Sequence, residues 1–172
     1  MFHDRIISEQ PLPAEEYAVY SAALREFPPD KAPGHDWITV TGITIRPDTV
    51  DVTGLGKSDG EFSHEMLSRL SAAGDTVYLV ESRFAESLNV AISPVLDTTD
   101  WVPVRWHRVR DRHQFAGIVS LSRVAFDESR QTALVYGLWG TGRLGAGAPR
   151  VVLLRKQEGA WKVLSSHELA GP

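Results

Sequence analysis

Four stretches near the end of the chain decide the fold: 117–126 (GIVSLSRVAF), 132–139 (TALVYGLW), 149–157 (PRVVLLRKQ) and 160–167 (AWKVLSSH). Each is rich in β-branched and aliphatic residues and is bounded by turn-formers, which reads as a strand. The intervening pieces are Asp127–Gln131, the glycine-rich 140–148 and Glu158-Gly159. None is long enough for a crossover helix, so neighbouring strands are expected to run antiparallel as a four-strand meander. In the last of them Trp161 and Val163 alternate with Lys162 and are expected to face a core. Outward from this block, residues 37–46 (WITVTGITIR) and 76–81 (TVYLVE) also read as strands, with a shorter one near 49–52. Two segments carry helical spacing. Tyr17, Tyr20, Leu24 and Phe27 recur at steps of three and four over 13–27, where Pro13 suits the first turn and Pro28-Pro29 the stop. Phe62, Met66, Leu67 and Leu70 share a face over 60–73, with a Ser58/Glu61 capping box and a left-handed stop at Gly74. Residues 82–116 carry no clear period.

The 172 residues, 42% hydrophobic and 23% charged, fit one globular domain spanning 1–172. The fold class expected is α+β: a curved antiparallel sheet that includes the C-terminal four-strand meander, packed on one face by two helices. Within the block, Ser122-Arg-Val-Ala-Phe-Asp127 followed by Ala133-Leu-Val-Tyr136, and then Gly159-Ala-Trp-Lys-Val163, resembles a bacterial family. That family carries Ser-Arg-Val-Gly-Phe-Asn, then Ala-Leu-Val-Tyr, a glycine-rich hairpin and a closing Gly-x-Trp-Lys-Val. Ala125 and Asp127 depart from its pattern, and residues 17–22 (YAVYSA) resemble its first helix. The resemblance implies a fold and lends no activity.

Several motifs fail on their own chemistry. Gly140-Thr-Gly-Arg-Leu-Gly145 spells a dinucleotide fingerprint, but Pro149 and Val151-Val152 follow where a helix must begin, so it reads as a hairpin loop. Asp51-Val-Thr-Gly-Leu-Gly-Lys-Ser58 puts a carboxylate where a phosphate loop needs glycine. His64-Glu65 lacks the second imidazole one turn on, since Ser68 stands there, and His107 and His113 are six apart, out of register for one metal. With no cysteine, thiolate catalysis and cysteine-held zinc or iron–sulfur clusters are excluded. No metal and no cofactor are expected. Neither a secretory segment nor a run of about 18 apolar residues is present, so the expectation is a cytoplasmic protein that spans no membrane.

Charge is divided. Residues 1–100 hold 7 Lys/Arg against 17 Asp/Glu, and residues 101–172 hold 11 against 5. Opposite halves favour internal pairing. Arg105, Arg108, Arg110 and Arg112 interleaved with Trp101 and Trp106 suit a nucleic acid or a phosphorylated ligand, but the whole chain is acidic, pI about 5.8, which disfavours nucleic acid. Arg123 is expected to point with Val119, Leu121 and Ala125 into the core. A guanidinium buried there must be paired, either by an internal carboxylate joining the two halves or by an anionic ligand. The functional expectation is a non-enzymatic binding domain for a small molecule or a protein partner, with Trp106, Arg123, Tyr136, Trp139 and Arg143 as its ligand-binding surface. The rival is a small hydrolase or isomerase with His107, His113 or His167 beside a carboxylate in a pocket on the sheet. A third reading is a module that acts through an exposed strand edge.

Overall fold

The structure, a computed structural model, describes residues 8–27, 38–42, 44–47, 62–93, 118–140 and 147–169. In chain order the elements are α1 (Ala14–Ala23, continued by a 3₁₀ turn Leu24–Glu26), β1 (Ile38–Thr41), α2 (His64–Ala73), β2 (Val90–Ser93), β3 (Ile118–Leu121), β4 (Ala125–Phe126), β5 (Thr132–Gly140), β6 (Gly147–Gln157) and β7 (Ala160–Glu168). They form an α+β fold whose strands lie in the order β2-β1-β3-β5-β6-β7, with β4 added on β5. From β3 onward every pairing is antiparallel, as the short turns require. At Glu158-Gly159 both residues take positive φ, 52° and 80°, the mirror-image turn that suits strand twist.

The other edge departs from an all-antiparallel sheet. β1 runs parallel to both β2 and β3. Each of those connections is long enough to cross over, and the one to β2 contains α2. The strand expected at 37–46 shortens to β1 plus one bridge, Ile45 with Ser122. The segment expected as a strand at 76–81 lies beside Gly42 and Thr44, through Thr44 N–H to the Tyr78 carbonyl and Val80 N–H to the Gly42 carbonyl, both 2.9 Å. β2 falls in the stretch where sequence periodicity was silent. The expected strand near 49–52 lies outside the described residues.

The two helices cover opposite faces, not one. Tyr20, Leu24 and Phe27 of the first helical segment pack with Val119, Leu121, Val135, Val152 and Trp161. Met66, Leu67 and Leu70 of α2 pack with Leu134, Tyr136, Val151 and Leu153. Leu134, Val135 and Tyr136 are consecutive and join alternate cores, so the cores lie on opposite faces. The run Val151-Val152-Leu153-Leu154 is buried throughout, the pattern of a strand covered on both sides. α2 is capped by Ser63, whose hydroxyl accepts from Met66 N–H at 3.2 Å; Ser58 and Glu61 lie outside the described residues. Gly74 has φ −80°, so it is no left-handed stop. Its glycine answers a close approach: an added Cβ would stand 2.8 Å from Arg46 Cγ.

Between β3 and β4 the chain makes a bulge. Leu121 pairs with Gly137 and Ala125 with Leu134, four residues advanced on one side against three on the other. The extra residue flips the face. Leu121 belongs to the core under α1 and Ala125 to the core under α2, so they do not point the same way as simple alternation predicts.

Candidate functional site

The bulge is held by a buried polar cluster built from both ends of the chain. Ser122 N–H donates to the Tyr136 carbonyl, but Tyr136 N–H donates to Ser122 Oγ at 3.0 Å, so a side chain replaces a backbone acceptor in the ladder. The Ser122 carbonyl is thereby released, and Tyr20 O–H donates to it at 2.8 Å. One residue on, Arg123 reaches Glu16 of α1. Its Nε lies 2.9 Å from both carboxylate oxygens, and a second guanidinium nitrogen donates to Oε1. Val124 N–H adds a bond to Oε2 at 3.1 Å, and Tyr20 O–H stands 3.3 Å from the same oxygen. The Arg123 carbon centre lies 3.9 Å from the centroid of the Tyr78 ring.

Electrostatics follow from that packing. Glu16 is 1% exposed, and its oxygens accept from Arg123 and from Val124 N–H, with the Tyr20 hydroxyl, whose one proton goes first to the Ser122 carbonyl, 3.3 Å away. Burial works against the charge on Arg123, but the hydrogen bond and charge of Glu16 outweigh it and hold the guanidinium more firmly protonated than usual. Burial first, and then the neighbouring carboxylate, push the Tyr20 hydroxyl well above its ordinary value. The cluster braces α1 against the bulge.

A second feature lies on the outer side of α1. An open groove of about 480 Å³ forms where α1, residues 83–85 and the β6–β7 turn meet. Its apolar lining includes Ala14, Ala18, Ala22, Tyr17, Phe84 and Trp161. The alanines recur every fourth residue, so they form one stripe, and their small side chains leave the space. Arg25 and Arg83 complete the rim. Two hydrogen bonds fix the wall against the helix: Ala85 N–H to Ser21 Oγ at 2.9 Å and Glu81 N–H to the Tyr17 oxygen at 2.8 Å. Tyr17 and Phe84 meet edge to face with centroids 5.5 Å apart.

Of the five residues expected as a ligand surface, Arg123, Tyr136 and Trp139 are among the described residues. Arg123 is turned onto Glu16. Tyr136 is buried in the core under α2, whereas Trp139 packs on the core under α1. Trp106 and Arg143 lie outside the described residues, as do His107 and His113. His167 packs edge-on against Phe62, centroids 5.0 Å apart. Among the described residues no group of three or more His, Asp or Glu side chains could hold a metal ion, and no helix is long and apolar enough to cross a membrane.

Glu16 and the alanine stripe are what sequence reasoning missed. Both had a signal. Residues 16, 19, 20, 23, 24 and 27 follow the helical spacing of one face and all are buried, so a glutamate sat inside the apolar stripe and asked for a partner. The opposite face carries alanine where a solvated helix usually carries charge.

No protein-family model, curated protein or solved structure matches this chain.

Proposed function

We propose that the chain is a non-enzymatic binding domain whose ligand site is the groove beside α1. One observation carries this reading: the groove combines an apolar floor with walls already held by hydrogen bonds. Ligand pockets run from about 300 to 1,000 Å³, are mostly apolar and are largely formed before the ligand arrives. At about 480 Å³, with Tyr17, Phe84 and Trp161 around the alanine stripe, the groove meets each of those conditions. The buried cluster contributes rigidity, because Glu16 and Arg123 fix the helix that forms the floor.

The test is a thermal-shift screen of small metabolites on the intact chain and on Ala18→Trp. Ala18 is exposed, so the larger side chain fills the groove without disturbing the core. At least one ligand class is expected to raise the melting temperature of the original chain and to leave the variant unmoved. A flat screen, or ligands that act equally on both proteins, would refute the assignment.

A further inference from the structure

Resting on that reading, we propose that the groove takes an amphiphile with an apolar body and a single anionic head, a carboxylate or a phosphate, received by Arg25. The argument starts from charge. Of the described residues that line the groove, those charged at neutral pH are Arg25 and Arg83, and none is a carboxylate. Both arginines come from the half of the sequence, residues 1–100, that carries 17 acidic side chains against 7 basic ones. Arg83 is already engaged: its Nε lies 2.6 Å from Glu81 Oε2. Arg25 is exposed and has no carboxylate partner among the described residues. Among the described residues the rim therefore presents one uncompensated positive charge, that of Arg25. That suits one anionic head and does not suit a polyanion.

The apolar lining supplies the other half of the specificity. Ala18, Ala22, Phe84 and Trp161 offer no charge to a ligand body. Ser21 is already used, its hydroxyl donating to the Tyr17 carbonyl at 2.8 Å and accepting from Ala85 N–H. The part of the groove floored by the alanine stripe therefore offers a sugar or other polyol few side-chain partners for the water it would lose. An alkyl or aryl body loses nothing of that kind. A guanidinium at the groove end can take a carboxylate or phosphate in two parallel hydrogen bonds.

Calorimetric titration below the micelle concentration tests this, with decanoate, decyl phosphate, decanol and decyltrimethylammonium as probes. Decanoate or decyl phosphate is expected to bind at one site, and comparing those two identifies the preferred head. Decyltrimethylammonium is expected to bind at least tenfold more weakly. Arg25→Gln is expected to weaken the anionic probe by roughly 10- to 100-fold, the range for a charge-assisted hydrogen bond, and to leave decanol unchanged. Ala18→Trp is expected to abolish binding of every probe while melting as the original chain does. If decanol binds as tightly as decanoate and Arg25→Gln changes nothing, the anionic head is refuted and the groove assignment stands. If no probe binds the original chain, or Ala18→Trp binds as the original does, both fall.

Discussion

Replacing Arg123 by alanine isolates the most deeply buried of the described ion pairs that join the two charged halves of the chain. The substitution removes the Nε bonds at 2.9 Å to both Glu16 oxygens and the packing on Tyr78, and leaves a carboxylate that is 1% exposed with only Val124 N–H and the Tyr20 hydroxyl. Breaking a buried ion pair by removing one partner costs about 3–5 kcal/mol. The Arg123 side chain retains 18% of its exposure, so water can enter the vacated space, and the lower end, about 3 kcal/mol, is the expected loss. For a chain of this size each kcal/mol moves the melting temperature by about 2–4 °C, so the variant should melt roughly 6–12 °C lower. Urea unfolding followed by circular dichroism gives the free energy directly. Pairing with Glu16→Gln then separates the ion pair from the packing. Gln keeps an acceptor for Val124 N–H, so Glu16→Gln/Arg123→Met should cost at least about 1 kcal/mol less than the two single changes added together. A melting temperature for Arg123→Ala within about 2 °C of the original, or strict additivity in the cycle, would refute the bracing role.

Two further outcomes follow from particular contacts. A Cβ at Gly137 would run into the Phe27 ring at Cζ, so Gly137→Ala should destabilise by about 1–3 kcal/mol, and most of that loss should vanish in a Phe27→Leu background; an equal cost in both backgrounds would show that the ring is not the obstacle. Acid should destabilise the fold through Asp127 and Glu15. Burial pushes the Asp127 carboxyl up, but Thr132 and Gln131 N–H and the Ser129 hydroxyl outweigh it and hold it below its ordinary value; Glu15 is likewise held low, against burial, by Arg130 and Lys156. Groups with depressed folded values contribute stability that is fully present above their ordinary values and lost as pH falls through the folded ones. The urea midpoint should therefore hold down to about pH 5 and drop below it, and Asp127→Asn should flatten that drop; identical acid limbs in the two proteins would exclude Asp127 from it.

The antiparallel half of the sheet was legible because its determinants are local. Glu158-Gly159 sets a hairpin turn, Asp127 accepts from the Gln131 and Thr132 N–H groups to close another, and the strands between them are too closely spaced to cross over. The helix at 14–23 was legible from its own spacing. The parallel edge was not, because pairing β1 with β2 and β3 depends on contacts across long connections that no local pattern encodes. The covering of both faces was half written in the unbroken apolar run 151–154, which alternation-based reading discounts.

Sequence alone established the class of fold and the need for a partner at Arg123, since a guanidinium on a core strand cannot stand unpaired. Only the tertiary structure chose Glu16, 107 residues away, as that partner, and only it showed the alanine face of α1 meeting residues 83–85 and the β6–β7 turn to form an open groove. The physical reason is the same in both cases. Turns and periods act between neighbours in the chain, whereas a partner for a buried charge and the walls of a groove are settled by which distant segments the core brings into contact.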